Sequence, residues 1–350
     1  MLLAVASDAV TLMYRKEIEY RAGGSGFILF CCLAILTTRV FGAGVEPSTA
    51  TATSVEQAPN GVAIVNIANP NRSGLSHNQY NRFNVDKSGL ILNNSNQTVV
   101  DTQLGGKILG NSQLTAPARV ILNEVTSTRP SALNGYTEVA GQRADVVIAN
   151  PNGISINGAG FINSSRVTLT TGVPEIDARG NLAGFDVRGG RISIDGDGLD
   201  SSLQDATSIY SHYLQLNASL HARDLDVVLG RNRIDYPGRK VVSSRSASTG
   251  RILLDSAALG GMYANKIKLV GTERGLGMNL PAEVIASSGD IEISSDGRLL
   301  LKQLDAGANI RLQAAAEIVS SDTVYAAGDL EIKTADDVTV TSGMPVSYTH

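Results

Sequence analysis

From Gly61 onward, short apolar runs alternate with clusters of Asn, Gly and Pro, and no helix-length window keeps a 3.6-residue apolar period. Gly61-Val62-Ala63-Ile64-Val65-Asn66-Ile67-Ala68 stops at Asn69-Pro70-Asn71, and Val146-Val147-Ile148-Ala149 stops at Asn150-Pro151-Asn152-Gly153. Proline fixes φ and lacks an amide donor, while Asn and Gly tolerate positive φ, so each cluster ends a strand. The pattern predicts an all-β chain after residue 60.

Repetition selects among all-β folds. Gly289-Asp290-Ile291-Glu292-Ile293, Ala308-Asn309-Ile310-Arg311-Leu312 and Gly328-Asp329-Leu330-Glu331-Ile332 share one form: small, polar, apolar, charged, apolar. Their first apolar residues, Ile291, Ile310 and Leu330, are 19 and 20 positions apart. Alternation inside each unit puts both apolar side chains on one face, and the spacing stacks those faces coil upon coil. The fold this predicts is a parallel β-helix, a solenoid. Less regular copies are Arg251-Ile252-Leu253-Leu254 and Lys266-Ile267-Lys268-Leu269, with Glu273 to Asn279 expected to loop out; Gly190-Arg191-Ile192-Ser193-Ile194-Asp195-Gly196 has the same texture. At roughly 4.8 Å per coil of about 20 residues, some 300 residues would make about 15 coils and a rod on the order of 70 Å. Val338 to His350 offer no evident polar cap, so the array is expected to continue.

Residues 61–181 contain 17 Asn. Stacked inward Asn side chains can hydrogen-bond from coil to coil, and a minority are expected to do so, the rest facing solvent in turns.

The head of the chain reads differently. Arg15, Lys16 and Arg21 precede ten apolar residues, Phe27 to Leu36, followed by Arg39 and a stretch of small residues. That run is too short to span a bilayer and fits a cleaved signal. Residues 1–50 are therefore expected to be signal peptide and leader, cut at about 43–52, with Gly42 and Gly44 or Ser48 and Ala50 as small-residue sites. The two cysteines, Cys31 and Cys32, lie inside the apolar run, so its removal leaves neither a disulfide nor a thiolate.

A net charge of -4 without a polybasic run excludes nucleic acid as the expected partner. Candidate chemistry is sparse. His77 beside Asn78 reads as a hydrogen-bonded structural pair rather than a base, and His212, His221 and His350 are isolated. Arg143 and Asp145, at alternate positions, predict a surface ion pair. Asp195, Asp197 and Asp200 surround Gly196 and Gly198 as turn residues and lack calcium-loop spacing. No enzyme, cofactor or metal is expected, and a β-helical polysaccharide lyase is the weakest alternative.

Several further segments appear in one order: Gly74-Leu75-Ser76-His77-Asn78 with Phe83-Asn84-Val85, Gly89-Leu90-Ile91-Leu92-Asn93-Asn94, Leu104-Gly105-Gly106-Lys107-Ile108-Leu109-Gly110-Asn111, and Val120-Ile121-Leu122-Asn123-Glu124-Val125. Gly141-Gln142-Arg143-Ala144-Asp145 leads into the second Asn-Pro-Asn, and Gly160-Phe161-Ile162-Asn163 into Thr168-Leu169-Thr170-Thr171-Gly172. Together they resemble the N-terminal two-partner secretion domain, or haemagglutination activity domain, of filamentous haemagglutinin and contact-dependent growth inhibition exoproteins. Leu182 to Val187 and Leu216 to Ala222 resemble the extension that follows it, which divides the chain at 54–182 and 183–350.

The resemblance implies a right-handed parallel β-helix with an N-terminal antiparallel cap. It implies two partners: the general secretion machinery and an outer-membrane transporter that binds the domain through periplasmic repeats. The product would reach the surface or medium of a Gram-negative bacterium as an adhesin or growth inhibitor and meet a receptor on a host or neighbouring cell. A secreted haemolysin of the same export system is the runner-up, although its usual cysteine pair is missing here. Asn69, Pro70, Asn71, Asn150, Pro151, Asn152 and Gly153 are the residues expected to serve transporter recognition or cap integrity.

Overall fold

The computed structural model describes residues 44–244, 252–256 and 259–341, so most of the expected signal segment lies outside the described residues. Every regular element among them is a strand. The chain winds through three faces in fixed order. Val120–Val125 lies on face 1, Ser131–Leu133 on face 2 and Tyr136–Gly141 on face 3, after which Ala144–Ala149 returns to face 1 beside Val120–Val125. Repeated turns build two 11-stranded sheets, faces 1 and 3, and a 9-stranded sheet, face 2. The winding is a parallel β-helix, as the repeat spacing predicts.

The antiparallel cap is present. Val45–Pro47 runs antiparallel to Leu75–Phe83 at the start of face 1, and Ser54–Gln57 antiparallel to Ala63–Asn66 at the start of face 3. Both cover strand edges that the first coil would otherwise leave open to another chain.

Inward side chains form one continuous core from Val45 to Ala326. The three C-terminal units stack as their spacing requires: Ile291 is register partner of Ile310, and Ile310 of Leu330. Upstream, Ile291 pairs with Ile267, and Ile267 with Leu225. Three expectations need correction. Leu254 is not in that row; it lies on face 2 between Leu214 and Met278, and Ile192 lies on face 2 between Ile154 and Leu214. An apolar-polar alternation fits either face equally, so sequence texture cannot tell them apart. Glu273 to Asn279 does not loop out: Glu273, Leu276 and Met278 are buried, and Met278–Asn279 is a face 2 strand.

The third correction is length. Among the described residues, faces 1 and 3 each hold ten strands in parallel register, which spans about 43 Å at the usual inter-strand spacing. The shortfall from 15 coils arises because several coils are long. Leu75 pairs with Val120, and Leu225 with Ile267, over 45 and 42 positions, against 18 between Thr207 and Leu225. The excess is spent outside the helix. Val99–Thr102 and Gly106–Leu109 make a two-stranded ribbon, while Val173–Ile176, Leu182–Asp186, Asn232–Asp235 and Val241–Ser244 make a four-stranded antiparallel sheet.

Buried Asn side chains mostly bond to the backbone of the next coil: Asn78 Nδ2 to Leu122 O at 3.3 Å, Asn123 Nδ2 to Val147 O at 3.2 Å, Asn94 Nδ2 to Ala118 O at 3.0 Å and Gln142 O at 2.8 Å. Asn93 Nδ2 donates to Asn66 Oδ1 at 2.8 Å, a direct inter-coil rung.

Candidate functional site

Asn150 occupies the corner between faces 1 and 2 and is fully buried. Its amide donates forward to Thr170 O at 2.9 Å, and its side chain reaches back one coil, Nδ2 donating to Arg129 O and Ser131 Oγ, each at 2.9 Å. Oδ1 accepts from Asn152 N at 3.0 Å and the carbonyl from Gly153 N at 3.1 Å, which closes the turn. Asn152 Nδ2 donates to Ser127 O at 2.7 Å. Gly153 has φ of 114°, where a side chain would be strained, and a Cβ would stand 3.0 Å from Arg191 O. Asn150 to Gly153 thus clamps three coils together.

Asn69, Pro70 and Asn71 lie at another corner, between faces 3 and 1, with Asn69 and Asn71 exposed. Asn69 Oδ1 accepts from Thr115 N at 2.8 Å. Asn71 Oδ1 accepts from Ser73 N at 2.9 Å, while its Nδ2 donates to Gly180 O at 2.7 Å in the turn of the external hairpin. The two Asn-Pro-Asn clusters therefore do not form one site.

Between the starts of the face 1 strands, at Leu75, Val120, Asp145 and Arg166, and the external sheet lies a cleft of ≈ 630 Å³. Asp145, buried on its wall, accepts from Arg166 Nη2 at 2.7 Å and from Tyr236 OH at 2.8 Å. Burial, then the neighbouring Asp145, hold the Tyr236 phenol protonated well above its usual range, and the hydrogen bond to Asp145 raises Arg166. Asp145 thus ties successive coils and the external sheet at one point. The expected Arg143–Asp145 pair does not form. Neighbouring coils supply the partners instead: Arg143 donates to Ser164 O of the next coil and faces Asp205, two coils on, at 3.5 Å.

His77 and Asn78 do not bond each other either, because neighbours on a strand point to opposite sides. Asn78 faces inward and accepts from Thr53 Oγ1 and Ala68 N, both at 2.8 Å. His77 Nε2 lies outside, 2.7 Å from Glu124 Oε2. Partial burial pushes Glu124 up, but hydrogen bonds from His77 and Gln79 outweigh it and hold the carboxyl below its ordinary value. Asp195 and Asp200 serve turns, the first accepting from Gly198 N through its carbonyl and the second from Ser202 N at 3.0 Å through its carboxylate.

Sequence reasoning missed a buried cluster. Glu273 is fully enclosed at the corner between faces 1 and 2, with Oε1 2.8 Å from Arg231 N and 3.0 Å from His212 Nε2. Burial lowers His212 below its ordinary pKa despite the acid beside it. The signal was available: each of the three follows a face 1 strand by one or two residues, at 206–211, 224–229 and 266–271.

The geometry is that of a capped, side-chain-stitched coil, and known proteins match it. The TPS secretion domain family matches residues 43–301. The 16S rRNA endonuclease CdiA of Enterobacter cloacae is 48% identical over 272 residues, 77% of this chain and 8% of that protein. The tRNA nuclease CdiA of Yersinia mollaretii is 44% identical over 290 residues, 83% of this chain and 10% of that protein. This chain thus corresponds to a small fraction of relatives whose names describe the whole. The solved filamentous haemagglutinin secretion domain superposes with a TM-score of 0.69 at 32% identity, covering 86% of this chain and 100% of that one. The chain therefore belongs to the TPS secretion domain family, and what it carries is a secretion module rather than a catalytic one.

Proposed function

We propose that this chain is the export signal of a large adhesin or contact-dependent growth inhibition protein. After the general secretion machinery delivers it to the periplasm, an outer-membrane transporter binds its N-terminal coils through soluble repeats and passes it to the surface or medium of a Gram-negative bacterium. The observation that carries this reading is coverage: the haemagglutinin secretion domain is matched over its whole length.

Within residues 54–182 the two clusters divide the work. Asn150, Pro151, Asn152 and Gly153 maintain the coils, because Asn150 is buried and spends its hydrogen bonds on neighbouring strands. Asn69, Pro70 and Asn71 present polar groups outward and serve transporter recognition. Residues 183–350 extend the stack, each coil offering an edge on which the next can pair. Folding of this kind at the exit face biases movement outward without ATP, and the receptor on a host or neighbouring cell engages what is exported.

The test is export itself. With the transporter co-expressed, deletion of residues 61–181 should abolish the exoprotein in the medium and on the surface while it accumulates in the periplasm. Wild-type export of that deletion would reject the reading.

A further inference from the structure

We propose that a recess at the corner between faces 3 and 1 docks an acidic side chain, flanked by an apolar one, from the transporter's periplasmic repeats; this rests on the export reading above. The recess, ≈ 380 Å³, spans four successive coils, with Arg143, Ser164, Asp205 and Arg223 each at or just before the start of a face 1 strand. Two guanidiniums converge on one carboxylate: Arg143 Nη1 is 3.5 Å and Arg223 Nη1 3.4 Å from Asp205. The cluster carries one net positive charge. Both contacts are long and half-exposed, so Asp205 neutralises its partners only weakly and a second carboxylate can share them. Arg143 is held for that role by Nε and Nη2 donating to Ser164 O at 3.1 and 2.9 Å.

A further observation points to peptide. Leu203, on the same wall, is 79% exposed. A lipid or glycan phosphate would use the guanidiniums and leave the leucine idle; an acidic peptide segment with an apolar neighbour uses both.

The experiment measures binding of the exported chain to the purified periplasmic repeats of its transporter, with circular dichroism confirming that each variant is folded. Arg143→Glu with Arg223→Glu should weaken binding about tenfold or more at low salt, and the difference should shrink as salt rises. Asp205→Asn, which removes the internal competitor, should tighten binding. Leu203→Ser should weaken it without changing its salt dependence. Wild-type affinity in both the arginine and leucine variants overturns the inference and leaves the export reading standing, whereas failure of the unmodified chain to bind the repeats overturns both. Loss of binding to anionic phospholipid vesicles in the arginine variant, with binding to the repeats unchanged, would also overturn it.

Discussion

Tyr236 donates its hydroxyl to the buried carboxylate of Asp145 over 2.8 Å, across 91 positions of sequence. That bond joins the external sheet to face 1, where Asp145 also holds Arg166 of the next coil. Tyr236→Phe keeps the ring, which packs against Phe185 with centroids 6.0 Å apart, and removes only the donor. A hydrogen bond to a charged acceptor contributes about 1.5–3 kcal/mol, so the variant should lose stability of that order. The loss should be local: amide exchange in 182–186 and 232–235 should accelerate before that of the face 1 strands. Uniform acceleration along the helix would show that the bond does not anchor the sheet.

The two Asn-Pro-Asn clusters should separate by mutation. Asn150→Ala strands Arg129 O and Ser131 Oγ without their donor and opens the turn, a cost of roughly 3 kcal/mol. Asn71→Ala removes exposed bonds to Ser73 N and Gly180 O and should cost about 1 kcal/mol or less. If the assignment of roles is right, export of Asn150 variants tracks their melting temperature, while Asn69 and Asn71 variants lose export at near-normal stability. Export that follows stability in both groups would leave no recognition role for the first cluster.

Much of the fold was legible because a solenoid repeats its logic. Ile291, Ile310 and Leu330 predict their own register from spacing alone, and the structure pairs them so. The assignment of Leu254 and Ile192 failed for the same reason: every face of a coil has the same alternation, and only counting through a whole turn separates them. Excursions defeat such counting. The external strands at 173–186 and 232–244 interrupt the coils yet pair with one another, so Asp145 and Tyr236 carry no periodic signal of their contact. Arg143 and Asp145 show a third limit, since in a stack opposite charges meet one or two coils away rather than two residues away.

Acid should find the corner where His212 meets Glu273. Burial keeps the folded-state pKa of His212 below its unfolded value of about 6.5. As pH falls through 6.5 the unfolded chain takes up a proton that the folded chain refuses, so stability falls until the folded-state pKa is reached and then levels. The charged groups facing the ring are Glu273, which favours the proton, and Arg231, which opposes it. His212→Gln retains a side-chain donor within reach of Glu273 and cannot titrate. Its melting temperature should drop less than that of the wild type between pH 7.5 and 5.5, other carboxylates contributing equally to both. Equal drops would mean that His212 does not couple folding to pH.

One buried acid holds the turn of the external ribbon. Glu138, buried on face 3, accepts from Gln103 N and Leu104 N at 2.8 Å each, one amide to each carboxylate oxygen. Apolar packing adds to this hold, with Ile108, Val100 and Leu104 against Ile91, Ile64 and Ala140. Glu138→Gln replaces one acceptor with a donor that faces an N–H, so one bond is lost and two donors confront each other, at a cost of about 2 kcal/mol. The ribbon can open without unwinding a coil, since among the described residues its strands pair only with each other. Exchange of the Val99–Leu109 amides should therefore rise about tenfold or more while the melting temperature of the helix stays nearly constant. A matching fall in global stability would show instead that the ribbon is part of what holds the first coils closed.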